Sequence, residues 1–257
     1  MNEIRPSAAA VKLHIAPNMA ETETAAWLRQ QFHTDETEDA PVLRLDSEGL
    51  TLCADAQELR GDFSHLLPRL KGLSGEFLVK AAKIKHADHS LTAIDATAGL
   101  GEDSFFLAAA GFHVTLYERN PVVYALLRDA LERAAYDPRL AEITARMTPC
   151  YGDSIAQLPK ANPAPDVVLL DPMFPARQKS ALVKKKLQMI QRLELPCPDE
   201  TQLLRAAMEA RPKKLLIKRP PKGPWLAGIK PDHSIEGKAV RFDCIVSPYE
   251  RIHKFFD

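Results

Sequence analysis

Leu91-Thr-Ala-Ile-Asp95-Ala-Thr-Ala-Gly99-Leu-Gly101-Glu102-Asp103 is the stretch that decides the fold. Leu91 to Asp95 reads as a short strand running into a glycine-containing loop. Glu102 to Ala110 reads as the following helix, closed by Gly111. A strand, a glycine loop and a helix open a doubly wound sheet, whose ligands sit beyond the carboxyl ends of the strands. The alternation continues outward. His113 to Glu118 is a second strand, and Asn120 caps a helix with Pro121 at its first position, running to about Ala135. A weaker strand precedes Tyr151, and Asp166 to Asp171 (DVVLLD) is a continuous buried strand. Helical stretches at 182–192 and 201–210 follow, and strands at Lys214–Lys218 and Val240–Val246 complete the pattern. This spacing predicts an α/β fold, a mostly parallel central sheet with helices on both faces.

Residues 1–70 read as a small N-terminal α+β unit, and 71–257 as the main domain. Val11 to Ile15 has strand character and Glu21 to Phe32 helical character. The apolar runs 42–45 and 50–52 flank Asp46-Ser-Glu-Gly49, a hairpin turn. No catalytic pattern falls in this unit.

The glycine loop suggests its ligand. Gly99 and Gly101 let the backbone come close to a bound molecule where a Cβ would collide. A dinucleotide domain is the competitor, but Gly99-Leu-Gly101-Glu-Asp-Ser104 lacks the third glycine of G-x-G-x-x-G. It also sets two carboxylates, Glu102 and Asp103, at the helix start, where a pyrophosphate would be repelled. A ligand with a cationic sulfonium and an amino group suits this chemistry, and S-adenosylmethionine is one. Glu118, 19 residues beyond Gly99, stands where an acid can accept from ribose hydroxyls. Asp153-Ser154 stands where an adenine amino group can be bound, or is simply a helix cap.

Asp171-Pro172-Met173-Phe174-Pro175 sits at the tip of the buried strand and resembles the D/N-P-P-Y/F motif of amino-methyltransferases, with Met173 in place of the second proline. The carboxylate of Asp171 and the carbonyl of Pro172 can accept the two protons of a planar base amine. Phe174 can stack on the base and hold it against a methyl donor. No cysteine lies in this loop, so it offers no nucleophile for attack on a ring carbon.

Charge points to a nucleic-acid partner only locally. The chain carries 34 Lys/Arg and 34 Asp/Glu, yet between Asp171 and Lys230 there are 14 basic residues against 5 acidic. That segment is a candidate phosphate-binding face, with Lys179, Lys184, Lys185, Lys186, Lys218 and Arg219 as its contacts, and with Lys213 and Lys214 flanking the same strand. The bland alternative is a solvated helix face. The four cysteines are far apart and form no CxxC pair, which argues against zinc and disulfides and for a reducing compartment. His86 and His89 lack a third ligand nearby, so no metal is expected. The sequence shows no signal-peptide pattern and no membrane-spanning run, so a cytoplasmic location is expected.

Taken together, DATAGLGEDSF, LYERNPVVYALL, LLDPMFPARQKSALVKKK and KRP resemble the ribosomal RNA small subunit methyltransferase J family across residues 75–247. Arg69 and Gly75–Lys80 resemble that family's lead-in. The resemblance implies a Rossmann-like class I methyltransferase fold and transfer of a methyl group from S-adenosyl-L-methionine to a guanine N2 of 16S rRNA or the small ribosomal subunit. Carried over by position, it places the donor at Glu102, Asp103, Glu118, Arg119, Asp153, Ser154 and Asp171. Glu102 stands where an arginine is expected, and Asp153 where a serine is. Two other functions compete: a DNA or protein amine methyltransferase, and a non-catalytic RNA-binding assembly factor.

Overall fold

The computed structural model describes residues 11–32, 40–85, 87–172 and 199–256. Met173, Phe174, Pro175, Lys179, Lys184, Lys185, Lys186 and the helix expected at 182–192 lie outside the described residues.

The main sheet has seven strands. In chain order they are β5 (Thr92–Asp95), β6 (His113–Glu118), β7 (Met147–Tyr151), β8 (Val167–Leu170), β9 (Lys214–Arg219), β10 (His233–Glu236) and β11 (Arg241–Val246). They lie side by side in the order β10-β11-β9-β8-β5-β6-β7. The run from β9 to β7 is parallel throughout. β11 runs antiparallel to both β9 and β10, so it is the one reversed strand of the seven. The order reverses at β5, with β6 to one side and β8 to the other. A topological switch point lies there, at the carboxyl ends of β5 and β8.

The β8 run Val-Val-Leu-Leu is completely buried, as a strand covered on both faces requires. Successive side chains point to opposite faces. Val167 and Leu169 join the core under the helix Glu102–Ala109, with Phe105, Leu107, Val114, Leu116 and Leu216. Val168 and Leu170 join Ile94, Leu215 and Ile217 in the core under the helix Glu200–Glu209, with Leu203, Leu204 and Ala207. Each fully buried Leu or Val contributes about 1.5–3 kcal/mol, so the two cores hold the sheet's register firmly.

The first residues form a second sheet, β1 (Lys12–Ile15), β2 (Val42–Asp46), β3 (Gly49–Ala54) and β4 (Gln57–Leu59), in sequence order. Asp46 pairs with Gly49 across the two-residue turn, the hairpin read from the sequence. β1 and β2 are parallel, joined through the helix Glu23–Gln31. The apolar face of this sheet packs on the helix Pro121–Ala134, so Leu43, Leu45, Leu50 and Leu52 share one core with Val122, Val123 and Leu126. Among the described residues no helix is long and apolar enough to cross a membrane.

Candidate active site

The loop after β5 is built from within. Asp95 is 2% exposed; its Oδ1 accepts from the Thr97 N–H at 3.1 Å and its Oδ2 from the Ser104 hydroxyl at 2.7 Å. Burial raises its carboxyl to about 7. Asp95 thus ties the loop to the helix behind it, and both its oxygens already serve protein donors. The Thr97 hydroxyl in turn accepts from the Asp171 N–H at 2.7 Å, which locks the tip of β8 against the loop after β5.

The two glycines do different things. Gly101 has φ +77°, and a Cβ there would lie 2.8 Å from Leu127 Cδ1 and 3.2 Å from Leu116 Cδ2. It lets the helix start pack down on the core. Gly99 has φ +54° and faces open space, with nothing within 4 Å of where a Cβ would stand. The backbone at the switch point is therefore open beside Gly99, in space that a side chain would enter.

Glu118 closes the loop from the next strand. Its Oε2 accepts from the Gly99 N–H at 2.9 Å and its Oε1 from the Asn120 N–H at 2.7 Å. Burial raises this carboxyl to about 7 as well. Glu118 therefore contacts the glycine loop through its carboxylate and fixes the loop's shape. Arg119 follows it, half-buried. Asp153 caps the short helix Ser154–Gln157, its side chain accepting from the Ile155 N–H at 3.0 Å, and Ser154 is buried behind it. Of the two readings open for Asp153-Ser154, the helix cap is present in the structure, at the carboxyl end of β7. Glu102 lies at the outer edge, 3.5 Å from His65 Nε2.

Asp171 and Pro172 follow directly on β8. In register, Leu170 lies opposite Ile217, so the next pair along is Asp171 and Lys218. Lys218 Nζ lies 3.0 Å from Asp171 Oδ2 and 2.5 Å from Asp103 Oδ2. Desolvation raises the Asp171 carboxyl above its ordinary value, and Lys218 pulls against that rise. Desolvation also disfavours the Lys218 ammonium, but Asp103 and Asp171 outweigh it and hold Lys218 above the usual ammonium range.

This corrects part of the basic face expected from the sequence. Arg219 is 1% exposed; it donates from Nε to the Pro224 carbonyl at 2.8 Å and stands 3.6 Å from Glu200. Its side chain is interior. Lys218 is turned toward two carboxylates in the site, so its charge is engaged within the protein. Lys213 pairs with Asp166 at 2.9 Å, and Lys214 donates to the carbonyls of Ala81 and Lys83. The basic residues of β9 and the one before it are each engaged by groups of the protein itself.

Sequence reasoning passed over the segment that covers the helix Glu102–Ala109. Phe63 stacks on Phe105 with ring centres 5.4 Å apart. The Arg69 guanidinium lies 4.2 Å over Phe106 and forms a two-pronged pair with Glu76 at 3.0 and 2.7 Å. The similarity of Arg69 and Gly75–Lys80 to a known lead-in was the available signal. Among the described residues no three His, Cys, Asp or Glu side chains gather to hold a metal.

The fold and this site define a class. The family model described as "Putative SAM-dependent methyltransferase" matches residues 28–247, and the protein is an S-adenosylmethionine-dependent methyltransferase. A solved SAM-dependent methyltransferase from Neisseria gonorrhoeae superposes with a TM-score of 0.73 at 30% identity, covering 92% of this chain and 96% of that one. The protein called ribosomal RNA small subunit methyltransferase J in Thioalkalivibrio sulfidiphilus is 43% identical over 80% of this chain and 84% of its own length. Its namesake in Marinobacter nauticus is 44% identical over 67% of this chain and 62% of its own length. The chain belongs to the ribosomal RNA small subunit methyltransferase J family.

Proposed function

We propose that the protein transfers a methyl group from S-adenosylmethionine to the exocyclic N2 of a guanine in small-subunit ribosomal RNA, in the cytoplasm. The observation that carries this reading is the placement of Asp171. It holds a carboxylate at the switch point, with its backbone pinned by Thr97, in the same loop as Gly99, and its side chain by Lys218. The substrate follows the names of the relatives at 43–44% identity.

The residues present fit the donor. Gly99 leaves the space that a close-lying ligand needs, and the acids around it, Glu102, Asp103 and Glu118, suit a cationic amino acid and a ribose and disfavour a pyrophosphate. Glu118, with Arg119, would hold the ribose, the Gly99–Gly101 loop and Asp103 the methionine part, and Asp153-Ser154 the adenine. When bound, the donor supplies a methyl carbon on a sulfonium, whose departure as a neutral thioether needs no general acid.

The protein's part is orientation and proton placement. Asp171 accepts a hydrogen bond from the amine, and the Pro172 carbonyl accepts the other, so the nitrogen lone pair is directed at the methyl carbon. As the N–C bond forms, the nitrogen becomes acidic, and Asp171 is placed to take its proton. Phe174 is assigned the stacking role from its place in the motif. The guanine must be unpaired or flipped, because its amine is engaged in base pairing. Lys179 and Lys184–Lys186 follow the motif and are assigned to the phosphates beside it. The test is label transfer from methyl-labelled donor to small ribosomal subunits, free 16S rRNA and duplex DNA in parallel. Transfer to the ribosomal substrates alone is expected; transfer to DNA alone, or to none, overturns the reading.

A further inference from the structure

We propose that Lys218 is a positioning residue for methyl transfer, an ammonium clamp that holds the Asp171 carboxylate as an acceptor for the base amine. The proposal rests on the function given above and deepens it.

The sheet's geometry makes the clamp. Asp95 follows Ile94, Asp171 follows Leu170 and Lys218 follows Ile217, and all three apolar residues point to the core on the other face. Strand alternation therefore sends Asp95, Asp171 and Lys218 to the face covered by the helix Glu102–Ala109, which brings Asp103 in its first turn. Three carboxylates from two strand ends and a helix start converge on that face. Lys218 bridges two of them, at 2.5 Å to Asp103 and 3.0 Å to Asp171, and its own side chain is 24% exposed. A lysine built to catch RNA phosphate would stand clear of acids. This one has its charge spread over two.

The chemistry gives the clamp a purpose. Asp171 must accept from an N–H, so it must be ionised. Burial and the neighbouring Asp103 both favour its protonated form, while Lys218, and Arg219 more weakly, favour the carboxylate. Asp95 is almost fully buried and interacts with both Asp103 and Asp171 as a like charge, and Arg69 interacts with Asp103 as an opposite charge. Without the ammonium, Asp171 would face Asp103 as a like charge with only the weaker pull of Arg219 to offset that repulsion, and its own carboxyl would rise further. A protonated Asp171 would present an O–H to the amine in place of an acceptor.

The test is the pH profile of single-turnover methyl transfer at saturating donor, from about pH 5 to about pH 9, for the wild type, Lys218→Met and Lys218→Arg. Removing an opposite charge at this range shifts a carboxyl by about 1–3 units. The acidic limb of Lys218→Met should move up by that amount, with activity recovering on the alkaline side. Lys218→Arg, which keeps the cation, should keep the wild-type limb. A Lys218→Met profile parallel to wild type, whether lowered or not, overturns the clamp. If Lys218→Met fails to fold, Asp103→Asn serves: it leaves Lys218 to Asp171 alone, and the limb should move to lower pH. An unmoved or raised limb there overturns the clamp too. A wild-type enzyme that methylates no rRNA guanine refutes the function itself; active wild type with an unmoved limb refutes only the clamp.

Discussion

Replacing Gly101 and Gly99 one at a time by alanine should separate folding from donor binding. At Gly101 the new methyl meets Leu127 at 2.8 Å and Leu116 at 3.2 Å, and both leucines are fully buried. Overpacking of this kind costs about 1–3 kcal/mol. The left-handed φ of +77° adds about 1–2 kcal/mol for a residue with a Cβ. The sum, about 2–5 kcal/mol, should lower the melting temperature by roughly 4–20 °C in a chain of this size. At Gly99 the methyl meets nothing within 4 Å, so only the backbone cost remains, and the melting temperature should fall by a smaller amount. The methyl instead enters the space assigned to the donor. Calorimetric titration with S-adenosylmethionine should show Gly99→Ala weakened by at least tenfold, about 1.4 kcal/mol. Gly101→Ala, measured well below its melting point, should bind nearly as wild type. A Gly99→Ala protein with unchanged donor affinity would refute the assignment of the donor to the space beside Gly99. A Gly101→Ala protein with unchanged stability would refute the packing argument.

Stability should also depend on pH through the buried acids. Asp95 and Glu118 titrate near 7 in the fold, against about 4 in an unfolded chain. Between these values the folded protein holds protons that the unfolded chain has released, so their contribution is greatest at the acid end and falls as pH rises through about 7. Asp95→Asn has no proton to lose, and the Ser104 hydroxyl can turn to accept from its amide. Its melting temperature should fall less than wild type between about pH 5 and about pH 8; an identical fall would mean that Asp95 is ionised throughout. The triple variant Lys184→Ala/Lys185→Ala/Lys186→Ala should bind RNA more weakly with a shallower salt dependence, donor binding unchanged. Normal methylation by that variant at every salt concentration would place the RNA face elsewhere.

The main sheet was legible because its strands are strongly patterned. DVVLLD could be read as a buried strand because both its faces are covered, and the Asn120-Pro121 pair marked its helix because the cap accepts from Val122 and Val123 as such caps do. The edge strands β4 and β10 escaped notice: Gln-Glu-Leu and His-Ser-Ile-Glu carry too few apolar residues to show a period of two. The loop of the candidate site, from Asp95 to Asp103, was legible as a strand, a glycine turn and a helix start. It was misread where strands from distant parts of the chain meet. Lys218 and Arg219 counted as basic charge, but charge counting cannot see that one faces Asp103 on the helix covering that side of the sheet and the other is buried, donating to the Pro224 carbonyl. Nor does spacing reveal that Asp95 and Glu118 spend their oxygens on the loop they support.

The most direct test of the account is the identity of the methylated nucleoside. Small ribosomal subunits are incubated with methyl-labelled donor and either wild-type enzyme or Asp171→Ala, and the RNA is digested and its nucleosides separated. Label is expected in N2-methylguanosine with wild type, with a collapse of turnover in a folded Asp171→Ala protein. Label at a ring carbon, in another nucleoside, or at a near-normal rate with Asp171→Ala would contradict it.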